Sequence, residues 1–276
     1  MSVKKITPFV CGVTVVFVLI ICVLLIDIDK RDFTAFASEY VSCRDTLSQT
    51  FTPLLKTMPN RISNINRACE MINEKTLLPG EIFSFNRVVG ERCEERGFKP
   101  APTFLNGKVV DTVGGGICQV SSTLYYACLL ANLEIVSRTN HSMSADYTKP
   151  GLDATASWDD IDYSFRNNTA NPVKILAWMD KTGVYAVIEG TKIDNNTVEI
   201  EIDILSTTPY QTIYRDNPEL EPGQTIITQE PHTGYVVQTY RVIKNENGET
   251  LSRKPEAKSS YSKLDEIIEC GPFKVL

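Results

Sequence analysis

The run Gly114-Gly115-Gly116-Ile117-Cys118-Gln119-Val120-Ser121-Ser122-Thr123-Leu124-Tyr125-Tyr126 restricts what this chain can build more than any other stretch. Glycine alone reaches positive φ without steric cost, so three in a row permit a sharp turn with backbone amides aimed inward. An apolar helical pattern begins directly after them, with Cys118 in its first turn. Unpaired N–H groups and the positive end of the helix dipole meet there, and both favour a thiolate over a thiol. The same geometry binds anions. Cys118, Ser121, Ser122 and Tyr125 recur at i, i+3, i+4 and i+7 and share one helical face, while Val120, Leu124, Ala127 and Ala131 form an apolar face expected to pack inward. A cysteine after a tight turn is often structural; its place on the polar face argues for a functional one.

Ile6 to Ile26 is an uncharged run long enough to cross a bilayer as a helix, and Lys4 and Lys5 before it favour an N-terminus held in the cytoplasm. A cleaved signal peptide is the competing reading, but its apolar core is usually about half this length. Ala35-Phe36-Ala37, which has the look of a cleavage site, lies well beyond Ile26. The expectation is a single-pass anchor in the cell membrane with the bulk of the chain outside the cytoplasm. The net charge of -6 argues against a nucleic-acid partner. No Gly-Lys-Ser/Thr follows the glycines and no second glycine completes a dinucleotide fingerprint, so no nucleotide or other cofactor is expected. No CxxC pair occurs, which leaves a zinc ribbon unsupported.

The organisation expected along the chain is a cytoplasmic tail (1–5), a transmembrane helix (6–26), a stalk or linker helix (27–59), an α+β domain (60–190) and a β-rich C-terminal module (191–276). Phe33, Phe36, Tyr40, Cys43 and Leu47 give the stalk its helical spacing, and Ile62, Ile65, Cys69 and Ile72 signal a second helix with Asn60 as its cap. Asn106-Gly107 marks a hairpin and Asn132 suits a left-handed helix end. Glu134 to Arg138 reads as a strand delivering Asn140-His141-Ser142, and Tyr163–Arg166 and Val173–Met179 read as mutually paired strands. Helices in the first half and strands in the second define the class as α+β.

Leu78-Pro79-Gly80-Glu81-Ile82-Phe83-Ser84-Phe85-Asn86, Arg96-Gly97-Phe98, the glycine–cysteine segment, Asn140-His141-Ser142 and Gly151 with Asp153-Ala154-Thr155 together resemble the VanW family of bacterial cell-envelope proteins, over roughly Asn60 to Gly190. Residues from about Pro209 onward are similar to the small β module that commonly trails this domain. The resemblance implies envelope association and a link to glycopeptide-resistance clusters, without an established reaction. After the histidine this chain carries Ser142-Met143-Ser144, a departure from the family pattern.

Two functions are open. The first is a cysteine hydrolase or transpeptidase acting on peptidoglycan peptides. Cys118 would be nucleophile and His141 general base, Asp153 or Asp146 would orient the imidazole, and backbone amides near Cys118 or the Gln119 side chain would hold the oxyanion. The order Cys, His, acid is similar to that of transglutaminase-like and papain-like enzymes, and the chain holds only two histidines, His141 and His232. The second is a noncatalytic module binding a cell-wall peptide, a carboxylate or a lipid-linked pyrophosphate. Gly114, Gly115, Gly116, Gln119, Ser121, Ser122, Tyr125 and Asn140 would line that site, with Arg138 or Arg92 as charge partners. Cys118, His141 and one aspartate match no familiar zinc spacing, so no metal is expected.

Overall fold

The computed structural model describes residues 45–55, 58–105 and 108–272. Its elements, in chain order, are β1 (Asp45–Pro53), α1 (Pro59–Ile72), β2 (Thr76–Leu77), β3 (Ile82–Ser84), α2 (Phe85–Val89), β4 (Pro100–Leu105), β5 (Lys108–Val113) and α3 (Cys118–Leu130). There follow β6 (Glu134–Ser137), β7 (Ser164–Arg166), β8 (Val173–Met179), β9 (Gly183–Gly190), β10 (Thr197–Thr208), β11 (Thr212–Asp216), β12 (Thr225–Gln229), β13 (Gly234–Lys244), β14 (Thr250–Tyr261) and β15 (Glu266–Cys270).

The expected α+β class is therefore corrected: the fold is β-rich with few helices, the three α-helices among the described residues having 14, 5 and 13 residues. The expected single-pass membrane location is corrected with it. Among the described residues no helix is long and apolar enough to cross a membrane, and the run Ile6 to Ile26 lies outside them. Most of the stalk lies outside them too, and its described end is not helical. Residues 45–53 form β1, which pairs antiparallel with β9. The reason is local: Asp-Thr-Leu-Ser-Gln-Thr-Phe-Thr-Pro is rich in β-formers, and its buried positions are Ser48, Thr50 and Thr52 rather than apolar residues.

Those hydroxyls explain how a polar strand face can be buried. Ser48 Oγ donates to Ala127 O (2.8 Å), Thr50 Oγ1 to Thr123 O (2.8 Å), and Thr52 Oγ1 lies 2.7 Å from Thr123 Oγ1. Thus α3 is bolted across the sheet β1-β9-β8-β2, packing on β1 and β9, while α1 packs on β8. A helix buried on nearly all sides loses the simple two-faced pattern, and residues Gln119 to Tyr125 of α3 are all buried. Leu124, Tyr125 and Leu129 join Phe85, Phe98, Tyr163 and Phe165 in one core, each fully buried side chain contributing about 1.5–3 kcal/mol.

The strands Tyr163–Arg166 and Val173–Met179 do not pair with each other. Instead β7 sits between β3 and β6, and β8 between β9 and β2. Buried Asn167 redirects the chain between the two sheets: its amide donates to Leu77 O (3.0 Å) and Asn171 O (2.8 Å), and its backbone N–H to Glu81 O (2.9 Å). The helix α1 starts at Pro59, with Met58 rather than Asn60 in the cap position, and β4 pairs with β5 as the hairpin signal requires. Beyond β9 lie the sheet β10-β13-β14 and a smaller one, β11-β15-β12, in which β11 runs parallel to β15.

The glycine turn is fixed from two sides. Asn64 of α1 donates to Gly115 O (3.0 Å) and Lys99 O (2.8 Å) and accepts from Lys99 N (2.8 Å). At Gly115 a Cβ would lie 2.2 Å from the carbonyl oxygen of Ala101 in β4, and Gly116 has φ +103°. Gly115→Ala is accordingly expected to lower stability by about 1–3 kcal/mol through overpacking. Urea denaturation measures this, and an unchanged midpoint would contradict it. Loss of function at Gly115 would therefore report on packing, not on ligand binding.

Candidate active site

Cys118 is the first residue of α3, and the next turn of that helix builds its surroundings. Ser121 Oγ donates to Ala154 O (2.7 Å), Ser122 Oγ accepts from Ala154 N (2.9 Å), and both hydroxyls also reach Cys118 O (3.2 and 2.6 Å). These bonds lay residues 153–156 along the helix, where Ala156 O accepts from Cys118 Sγ at 3.5 Å. Thr155 N in turn donates to Thr139 O (2.8 Å), bringing in the segment after β6 that carries His141.

Asp153 Oδ2 accepts from both the backbone N–H of His141 (2.7 Å) and its Nδ1 (2.6 Å). With Nδ1 engaged, Nε2 is the nitrogen left to face Cys118, and the ring and the sulfur lie near enough to shift each other's pKa. On its other oxygen Asp153 accepts from Arg138 Nη2 (2.9 Å) and from the hydroxyl of Tyr261. Arg138 is held in addition by Asp153 O (2.6 Å) and Ser259 Oγ (2.6 Å), and lies over the Tyr125 ring at 5.1 Å. The structure thus brings Cys118, His141 and Asp153 together. Asp146 is elsewhere, exposed and 3.8 Å from His232.

Charge follows from these contacts. Burial pushes the Cys118 thiol up, but the hydrogen bond and charge of His141, the Ala156 contact and Arg92 together take it below its ordinary value of 9.0. Burial works against protonation of His141, yet Asp153 and the Cys118 sulfur outweigh it and push the imidazole up to about 10. Burial would raise Asp153 too; His141 and Arg138 hold it below the usual carboxylate range. The three shifts favour the charged forms, thiolate, imidazolium and carboxylate, whose signs alternate along the set. Tyr261, pushed up to about 12 by burial and by the charge of Asp153, keeps the proton it donates.

Among the described residues the amides of Gly116 and Cys118 have no hydrogen-bond partner, as expected at a helix start. The Gln119 side chain faces away from the sulfur: its Nε2 donates to Pro53 O (2.9 Å) and Thr52 Oγ1 (3.1 Å), and its Oε1 accepts from Arg61 Nη2 (2.7 Å). Ser121, Ser122 and Tyr125 are buried and bonded or packed within the protein, and Asn140 donates to His141 O (2.7 Å) and Ser260 O (2.8 Å). Gly114, with φ +88°, packs under Arg92. Arg92 lies over the rings of Phe85 and Trp158, both at 5.8 Å, and Trp158 is 41% exposed just two residues beyond Ala156. Tyr147, 3.3 Å from Ser122 Oγ, and Tyr261 escaped the sequence reading, since no local pattern marks either as a neighbour of Cys118.

Residues 60–188 match the family model described as VanW like protein. This part of the chain belongs to the VanW family. The chain is 43% identical over 131 residues to the protein YoaR of Bacillus subtilis (strain 168), an alignment covering 48% of this chain and 43% of YoaR. It is 33% identical over 127 residues to the vancomycin B-type resistance protein VanW of Enterococcus faecalis (strain ATCC 700802 / V583), covering 44% of this chain and 46% of that one. The chain thus spans less than half the length of the curated relatives it matches. Residues 195–272 match the G5 domain model. The chain aligns with the IgA1 protease G5 domain structure (22% identity, TM-score 0.20, 30% of this chain and 100% of that one) and with HP0197-G5 (17%, TM-score 0.17, 28% and 97%). Cys118, His141 and Asp153 all lie in the VanW stretch, whereas Ser259 and Tyr261 lie in the G5 stretch.

Proposed function

We propose that this chain is an envelope-associated acyl-transfer enzyme, a cysteine hydrolase or transpeptidase acting on peptidoglycan peptides. The observation that carries this reading is the connected set Cys118, His141 and Asp153, with the aspartate fixing both the backbone and the ring of the histidine. In the first step the Cys118 thiolate attacks the carbonyl carbon of a peptide bond, and the His141 imidazolium passes its proton to the departing amine, leaving a thioester. Water or a second amine then attacks the thioester, His141 takes up the proton, and the thiolate leaves. The free amides of Gly116 and Cys118 would stabilise the oxyanion in both steps.

Two further features favour catalysis over simple binding. The hydroxyls of Ser121 and Ser122 are spent inside the protein, and Gly115 is explained by the approach of β4. A VanW-like domain followed by a G5 domain suits an envelope protein, and one relative is named for vancomycin resistance. The test is mass spectrometry of the chain incubated with soluble peptidoglycan peptides. An acyl adduct on Cys118 and products either hydrolysed or joined to a second peptide are expected, and both should vanish in Cys118→Ala. Identical behaviour of the two proteins would overturn the proposal.

A further inference from the structure

The end of β14 runs along the segment that carries the imidazole. Ser259 Oγ accepts from Arg138 Nη1 (2.6 Å), Ser260 O from Asn140 Nδ2 (2.8 Å), and Ser262 N donates to Ser142 O (2.7 Å). Residues on both sides of His141 are thereby tied to the C-terminal module. Between these bonds the Tyr261 hydroxyl, buried in the protein, accepts from Gly151 N (2.6 Å) and donates to Asp153 Oδ1. Gly151 and Asp153 are two residues apart, so one phenol fixes both the turn and the carboxylate it presents.

We infer that the C-terminal module is a working part of the site, with Tyr261 as the positioning residue that fixes Asp153 and, through it, the ring of His141. The reactivity of Cys118 then depends on β14 remaining docked. This rests on the Cys118–His141–Asp153 reading above. The carboxylate has two oxygens and four donors: Oδ2 serves only His141, and Oδ1 serves Arg138 and Tyr261. Removing the phenolic donor leaves Oδ1 with Arg138 alone, and the carboxylate gains freedom to rotate away from Nδ1. The other charged or titratable groups facing the pair are Arg92, Arg61 and Tyr147 on the Cys118 side, and Tyr125 beneath Arg138. None of these is a hydrogen-bond partner of the Tyr261 hydroxyl, which meets Arg138, Gly151 and Asp153.

The experiment is the rate of iodoacetamide alkylation of Cys118 against pH in the full chain, followed by mass spectrometry, for wild type, Tyr261→Phe, Ser259→Ala and His141→Ala. Phenylalanine keeps the ring packing, so Tyr261→Phe should move the thiolate midpoint up by about one unit, a tenfold slower reaction at neutral pH. Ser259→Ala, which frees one arm of Arg138, should give a shift of the same sign and about a threefold slowing, and it decides the matter if Tyr261→Phe melts early. A displaced profile in His141→Ala with wild-type profiles in both β14 variants would overturn the inference while leaving the triad intact. An undisplaced profile in His141→Ala would overturn the triad itself.

Discussion

Replacing His141 with alanine is expected to slow alkylation of Cys118 at neutral pH by about a hundredfold. In the intact protein the thiol lies below 9.0 only because His141 supplies the two largest favourable influences against burial. Without the imidazole, burial dominates the weaker contributions of Ala156 and Arg92, and the thiol rises to its ordinary value or above. The sign for acyl transfer is opposite on the two limbs of its pH profile. Turnover falls on the acid side as the depressed Cys118 thiolate takes up a proton, and on the alkaline side as His141 loses its proton near pH 10, because the leaving amine then has no donor. Alkylation needs only the thiolate and should show no alkaline fall. An alanine variant that alkylates at the wild-type rate would mean that the imidazole does not hold the thiolate.

What could be read from sequence was local. Glycine geometry and helix-end chemistry placed a turn at residues 114–116 and a helix starting at Cys118, the Asn106-Gly107 signal matches the β4–β5 pairing, and Asn132 has the left-handed φ of 56°. The fold class was misread because the helical spacing through Leu47 continues into a segment whose buried residues are hydroxylic. No apolar alternation marks β1, since Ser48, Thr50 and Thr52 bury by bonding to the carbonyls and hydroxyl of α3. The helix α3 likewise hides its orientation: a glutamine beside the cysteine looks available for an oxyanion, yet the ends of β1 and Arg61 claim it. Tyr261 was out of reach for another reason. It meets Asp153 across 108 residues of chain, and only the docking of β14 against the histidine segment makes the two neighbours.

The change with the widest consequences is Asp153→Asn. Every group on the carboxylate is a donor: the His141 backbone and ring on one oxygen, Arg138 and Tyr261 on the other. Asparagine offers one acceptor oxygen, so in either orientation its NH₂ confronts a donor that cannot reverse. Turned toward Oδ1 it meets the guanidinium; turned toward Oδ2 it meets a backbone N–H and favours the wrong imidazole tautomer. Arg138 and Asp153 are 5% and 1% exposed, and breaking so buried a pair from one side costs about 3–5 kcal/mol, because the remaining charge is left uncompensated. Acyl transfer should fall by about 10⁴, the scale seen when the buried acid of a Ser-His-Asp triad is made an amide. The two losses are separable. Adding Arg138→Met removes the stranded charge, so the double variant should recover a large part of the stability while remaining inactive. Denaturant midpoints and single-turnover rates on the two variants measure both effects. Near wild-type stability and a rate within tenfold for Asp153→Asn would show that neither the ion pair nor the imidazole depends on this carboxylate.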